Sequence, residues 1–535
     1  MSSDSPRFSV NLARPMAWRG RVIPGSAWRT LFVGFALLAA FVGFLTLVQF
    51  STPDLVGTDD HFHVRFAALM RTEGLLLRFP WLPLTILNAR EFYDHHFLFH
   101  VALIPFTFGD LITGGKWASV VFTSLAFLSV WWLLRCQKVP YAALWATGLL
   151  VVSEAFLFRM GMVRPMALSL AFLVLGLHLL LADRHAWLLP LGFLYVWLYD
   201  GFPFLLIVAA VYVLSTWGID RKLNLRPLLY ASAGIALGML LNPYFPHNVV
   251  FTLRHILPKL TETTAVDVGN EWYPYQTTTL LRNSPLALVA FLSGALALGL
   301  QERRMDARTL TTFLLAVIFG LMLFQSRRFI EYFPPFALIF TALAWTPLIT
   351  SWTNSANTWQ ASVAQGAPRS RLDEWTTSAR RWLPVGALAL VLIPGMWFTL
   401  QGARASYQDA QPSTRFAAAS AWLVENTPPG ARLFQTDWDD FPRLFYHNTQ
   451  NTYLIGLDPT YMQLYNAGLY DMWVDMTEGK VEHLSETIHS RFGASYVFSD
   501  LAHADFLDQA ERDPGLKEVY RDNEAVIFQV VDGAN

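Results

Sequence analysis

The stretch Gly57-Thr58-Asp59-Asp60-His61-Phe62-His63-Val64-Arg65 follows an uncharged apolar run by only a few positions. Paired carboxylates at the mouth of such a run can take a proton from an attacking group, or hold a divalent cation such as Mg2+ or Mn2+. Thr58 and Asp59 also suit the start of a helix. The two roles are compatible if one aspartate caps while the other works. A second group, Asp94-His95-His96, combines carboxylate and imidazole, so Asp94 and His96 are candidate metal ligands alongside Asp59 and Asp60. His95 and His96 are also candidate polar contacts to substrate, with a purely interfacial role as the plainer reading.

Arg327-Arg328-Phe329-Ile330-Glu331-Tyr332 lies at the edge of another apolar run. Guanidinium suits phosphate because its fork is planar and always charged. The plainer readings are arginines that snorkel to the interface, or an internal pair with Glu331. Glu271, a candidate catalytic carboxylate with Asp59 and Asp60, sits in Gly269-Asn270-Glu271-Trp272-Tyr273-Pro274-Tyr275, where a carboxylate beside aromatic rings suits sugar binding through Trp272. The same aromatics also suit an interfacial belt. Arg159 and Arg164 close the set, in Arg159-Met160-Gly161-Met162-Val163-Arg164-Pro165.

The elements that must position these groups are dictated by composition. Of 535 residues, 54% are hydrophobic and 15% charged, against about 25% charged in ordinary soluble proteins. That is too little polar surface for so much apolar side chain, and membrane insertion follows. Lys+Arg 39 against Asp+Glu 40 argues against a nucleic-acid partner. The single cysteine, Cys136, excludes a disulfide framework and a cysteine-based metal site.

Leu31 to Phe50 carries no charge and at about 1.5 Å per residue crosses a hydrocarbon core of roughly 30 Å. Further spans read as 117–134, 142–158, 166–182, 186–199, 202–217, 228–242, 285–300, 309–325, 330–350 and 382–401, eleven in all. The expected organisation is a cytoplasmic tail at 1–29, a transmembrane domain at 30–401 with a large first outer loop at 51–116, and an extracytoplasmic α/β domain at 402–535. Loops assigned to the cytoplasm carry Arg135, Lys138, Arg184, Arg221, Lys222, Arg226, Arg303, Arg304 and Arg308, as the positive-inside rule requires. Phe97–Phe108 is too short to span and reads as a re-entrant or interfacial helix. The stretch 351–381 reads as a linker. In the last domain, helical patterns are expected near 414–426 and 481–491, and strands at Thr452–Ile455, Ser495–Phe498 and Ala525–Val531. Charged groups gather at the outer ends of apolar helices, where charge is costly unless paired or used. A carrier would place them at midpoints of discontinuous spans.

This order of features resembles the GT-C superfamily of membrane glycosyltransferases, particularly the catalytic subunits of oligosaccharyltransferases. Gly57 to Arg65 is similar to the family's first-loop acidic motif, Asp94-His95-His96 to the histidine-bearing end of that loop in archaeal members, and Arg328 to Tyr332 to its Arg-Phe…Tyr segment. The resemblance implies that Asp59 or Asp60 binds metal or acts as base, that Arg328 contacts the lipid-linked phosphate, and that Glu271, or else Glu262, is the family's outer-loop glutamate. Two motifs depart from the pattern: Arg159 to Pro165 replaces the second acidic motif, and Asp437-Trp438-Asp439-Asp440-Phe441 is a degenerate form of the Trp-Trp-Asp signature.

The expectation is a mainly α, polytopic bacterial inner-membrane glycosyltransferase. It would move a sugar or oligosaccharide from a polyprenyl-(di)phosphate donor to a glycan, lipid or protein acceptor on the outer face, with a divalent cation as the implied cofactor. A polysaccharide polymerase or ligase, and a lipid-linked sugar carrier or flippase, are the alternatives.

Overall fold

The computed structural model describes residues 17–18, 21–22, 25–256, 269–302, 304–364 and 371–531, without side-chain detail for 17–26, 256, 270 and 355–381. A two-residue hairpin, β1 (Ala17–Trp18) with β2 (Arg21–Val22), precedes the helix α1 (Gly25–Gln49). Then come α2 (Thr58–Glu73), α3 (Phe97–Leu103), α4 (Leu111–Cys136), α5 (Ala142–Thr147), α6 (Glu154–Gly161) and α7 (Met166–Leu181). The first half closes with α8 (Leu188–Leu198), α9 (Pro203–Asp220), α10 (Arg226–Leu240) and α11 (His247–Phe251).

Helix ends follow local chemistry. Asp110 caps α4 by accepting from Thr113 N–H at 2.7 Å, and Ser153 caps α6 by accepting from Phe156 N–H at 3.1 Å. Proline opens α9 at Pro203, where its missing N–H costs no helical hydrogen bond.

Six described helices are long and apolar enough to cross a membrane, or up to eight if each of two bent pairs counts as one span. The chain is an integral membrane protein. Each of the eleven segments expected from sequence falls on a helix, but those at 166–182, 186–199 and 228–242 form shorter helices. The segment 142–158 is broken at 80° between α5 and α6. The segment 285–300 joins Thr277–Asn283 across a bend of 84°. Apolar length alone therefore does not carry the number eleven. The expected linker at 351–381 is a correction. Helices Phe333–Ala364 and Arg371–Gln408 run into it from both sides, because its Ala, Gln, Arg and Glu are good helix formers. Phe97–Phe108 is a short helix followed by a 3-10 turn, Ile104–Phe106.

The C-terminal unit is built on a five-stranded sheet in the order β4-β3-β5-β7-β6. Its strands are β3 (Arg432–Gln435), β4 (Thr452–Tyr453), β5 (Tyr496–Asp500), β6 (Leu516–Arg521) and β7 (Ala525–Val530). β3 pairs parallel with β4 and β5, while β7 pairs antiparallel with β5 and β6. The expected strands are present. β3 and β6 are additional: β3 is short, and exposed Lys517 and Glu518 hide the pattern of β6. This unit docks on α2 through an aromatic core in which Phe62 meets Phe445 at 5.3 Å and Phe79 stacks on Phe92 at 4.5 Å. That contact closes a cavity over one end of the helical bundle.

Candidate active site

A cavity of about 940 Å³ lies between the bundle end and the C-terminal unit. The two aspartates that follow α1 enter α2 at its first turn and diverge. Asp59 lines the cavity, with Oδ2 2.8 Å from Arg164. Asp60 is fully buried, outside the cavity wall, and accepts from Gly57 N–H at 3.0 Å, with the Val163 backbone also acting on its carboxylate. Burial, only partly offset by Arg164, pushes the Asp60 carboxyl up to about 6. Burial also raises Asp59, again against Arg164.

Three guanidiniums converge on Glu271. Arg159 Nη1 donates to Glu271 Oε2 at 2.8 Å, and Arg164 and Arg328 reach the same carboxylate at 3.4 Å. Burial raises the Glu271 carboxyl, but Arg159, Arg328 and Arg164 outweigh it and hold it well below the usual carboxylate range. Glu271 is thus held as an internal anion by three guanidiniums. Arg159 also donates through Nε to Glu331 at 2.8 Å and stands behind the cavity wall. Arg328 is steadied by Tyr199, whose hydroxyl accepts at 2.7 Å, and by the Trp272 ring 4.9 Å beneath it. The loop carrying Glu271 is tied to Arg328's loop by Ser326 Oγ donating to Glu271 O at 2.9 Å and by Arg327 N–H donating to Tyr273 O at 3.0 Å. The Arg327 side chain donates to Pro274 O and lies 5.3 Å over Tyr275, outside the cavity wall. Glu262 lies outside the described residues.

His95 and His96 both line the cavity, His96 stacked on Tyr199 and His95 on Phe251. Asp94 is turned inward, with its oxygens 2.8 and 3.0 Å from His100 Nδ1. Asp437, Trp438 and Asp439 supply part of the wall, together with Asp458 and Tyr461. Burial, with Asp59 and Asp437 nearby, raises the Asp439 carboxyl to about 6.

Of the four residues expected to hold a divalent cation, three are engaged by protein groups, and His96 is stacked on Tyr199. Asp59 already faces a guanidinium, Asp60 caps a helix and Asp94 is committed to His100. Among the described residues no group of three or more His, Cys, Asp or Glu converges as a ligand set.

Sequence reasoning missed Tyr199, His100 and the Asp458–Tyr461 segment. Tyr199 and His100 had a signal, since each is a polar group within or at the end of an apolar helix. Asp458 and Tyr461 had none, because only the docking of the C-terminal unit brings them over the bundle.

No family sequence model matches the chain, and no curated protein matches it in sequence. Solved structures do share its fold. The apo oligosaccharyltransferase of Archaeoglobus fulgidus aligns at TM-score 0.60 and 14% identity over 95% of this chain and 75% of that one. The Archaeoglobus fulgidus oligosaccharyltransferase AglB, in complex with an inhibitory peptide and a dolichol-phosphate, aligns at TM-score 0.59 and 14% identity over 94% and 75%. ArnT from Cupriavidus metallidurans, bound to undecaprenyl phosphate, aligns at TM-score 0.53 and 16% identity over 95% and 99%. At these identities the likeness is one of fold.

Proposed function

We propose that this chain, which has the GT-C fold, is an integral-membrane glycosyltransferase acting on the outer face of a bacterial inner membrane. It takes a sugar or oligosaccharide from a polyprenyl-phosphate or polyprenyl-diphosphate carrier and passes it to a glycan, lipid or protein acceptor. The observation that carries this reading is the convergence of Arg159, Arg164 and Arg328 on one carboxylate at the edge of the cavity. The two contacts at 3.4 Å are long for charge-assisted hydrogen bonds. A donor phosphate therefore exchanges with Glu271 on Arg164 and Arg328, while Glu271 keeps its 2.8 Å bond to Arg159. The dolichol-phosphate bound in the AglB structure and the undecaprenyl phosphate bound in the ArnT structure support the same donor class.

Arg328, oriented by Tyr199 and Trp272, neutralises the charge that grows on the departing phosphate oxygen. Asp59 accepts the hydrogen bond of the acceptor's nucleophilic group and aligns it for attack on the anomeric carbon with inversion. Arg164, standing where the family's second acidic motif belongs, supplies positive charge in place of a metal. His95, His96 and Trp272 contact the sugar. The opposite end of the bundle supports this orientation: Arg308 and Arg135 gather there, with Arg308 Nη1 donating to Gln137 O at 3.3 Å. By the positive-inside rule that end is cytoplasmic. Eleven apolar segments running alternately between the two ends would leave the C-terminal unit outside.

The test uses purified protein in nanodiscs with a panel of radiolabelled polyprenyl-phosphate sugars, following release of free polyprenyl phosphate with and without EDTA. Arg328→Ala and Asp59→Asn are each expected to slow release by about 10²- to 10³-fold, and EDTA to leave the wild type active. Loss of activity in EDTA would restore the divalent cation. Tight donor binding without turnover, unchanged in Asp59→Asn, would replace the transferase by a carrier.

A further inference from the structure

α2 carries Asp59 and His63 four residues apart, so they share one helix face, and both line the cavity. Behind His63 a polar line continues into the protein. His63 Nδ1 lies 2.8 Å from His100 Nε2, and His100 Nδ1 lies 2.8 and 3.0 Å from the Asp94 oxygens. His63 is 5% exposed, His100 1% and Asp94 4%. Phe62, Phe66 and Phe99 pack around the two rings. This is a line of three hydrogen-bonding groups sealed in an aromatic core and open at one end.

The direction of its hydrogens follows from donor and acceptor counting. An ionised Asp94 only accepts, so His100 Nδ1–H donates to it. With His100 neutral, its Nε2 is then a bare acceptor, and His63 Nδ1–H donates to it. A neutral His63 with its hydrogen on Nδ1 keeps a lone pair on Nε2, the ring nitrogen that no described residue engages. In that arrangement the buried carboxylate selects the tautomer of a cavity-wall histidine through a second histidine.

We infer that Asp94, His100 and His63 form a proton line for the proposed transfer, in which His63 Nε2 takes the acceptor's proton one helical turn from Asp59. The inference rests on the transferase reading. The acceptor's oxygen or nitrogen bonds to the anomeric carbon, and the bond from that carbon to the phosphate oxygen breaks with its electron pair leaving on phosphate. The acceptor's proton goes to His63 Nε2. The Nδ1 proton of His63 is shared with His100 Nε2, and the positive charge is balanced by Asp94 at the buried end. His63 is the catalytic group; His100 and Asp94 are positioning residues. Asp59, engaged by Arg164, aligns the acceptor while His63 removes its proton.

The test measures donor turnover and donor binding in Asp94→Asn and His63→Gln, together with ¹⁵N spectra of the histidines in nanodiscs. Asp94→Asn keeps the shape but removes the charge that selects the tautomer. Turnover is expected to fall by about 10²- to 10⁴-fold in both variants, with donor affinity unchanged. The spectra are expected to show a bare Nε2 on His63 in the wild type and its loss in Asp94→Asn. Wild-type turnover in both variants, with Arg328→Ala still impaired, would overturn the proton line and leave the transferase standing. If the wild type consumes no donor, the transferase reading fails and the spectra still decide the line: a hydrogen on His63 Nε2 in the wild type overturns it.

Discussion

At the scale of single residues, the clearest result is the separation of Asp59 from Asp60. Consecutive positions in the first turn of a helix point about 100° apart, so one carboxylate reaches the cavity and its neighbour turns back to the backbone of Gly57. Asp60, fully buried and raised to about 6, holds its proton in the folded state to a higher pH than in the unfolded chain, where an aspartate titrates near 3.9. Between those values the unfolded state binds fewer protons, so stability falls as pH rises. Asp60→Asn retains an oxygen for Gly57 N–H and cannot ionise. Relative to it, wild type is expected to lose thermal stability from about pH 4 to about pH 6 and to run parallel above that. A melting-temperature series in detergent checks this, and parallel curves throughout would show that Asp60 is not strained by its charge.

At the scale of elements, the bundle that carries the site depends on close helix contacts. Lipid supplies no hydrophobic drive between helices, so backbones must approach closely enough for dispersion to hold them. α8 and α10 do this through glycine: a Cβ on Gly234 would lie 2.2 Å from the carbonyl oxygen of Leu189, and one on Gly238 2.8 Å from that of Phe193. Backbone cannot yield as a flexible side chain can. Gly234→Ala is expected to cost about 1–3 kcal/mol, seen as a lower melting temperature. Gly43→Ala on α1, where a Cβ meets nothing within 4 Å, is expected to leave it unchanged or slightly higher. α8 ends next to Tyr199, so loosening this pair also loosens the group that orients Arg328.

At the scale of the whole molecule, the question is which end of the bundle faces which compartment. The arginine-lined cavity and the C-terminal unit share one end, and Arg135 with Arg308 marks the other. Cys136, exposed at the end of α4, is the chain's single cysteine. In whole cells it is expected to resist a membrane-impermeant maleimide until the membrane is opened. A cysteine placed by Lys480→Cys, on an exposed turn of the C-terminal unit, is expected to react without opening it. The reverse pattern would invert the orientation and put the proposed chemistry on the cytoplasmic side.

The sequence by itself determined the membrane class, the helical bundle, the appended α/β unit and most of the segments that supply the site. These follow from local composition and periodicity, which each stretch carries without reference to the others. Arg164 and Arg328 were recognisable as cations at helix ends for the same reason. Tertiary structure alone decided that Arg159, Arg164 and Arg328 share one carboxylate, that Asp59 faces the cavity and Arg164, and that Asp94 pairs with His100. Each of these is a contact between side chains, most of them far apart in the chain, and in a low-dielectric site the partner, not the residue type, sets the state of a charge.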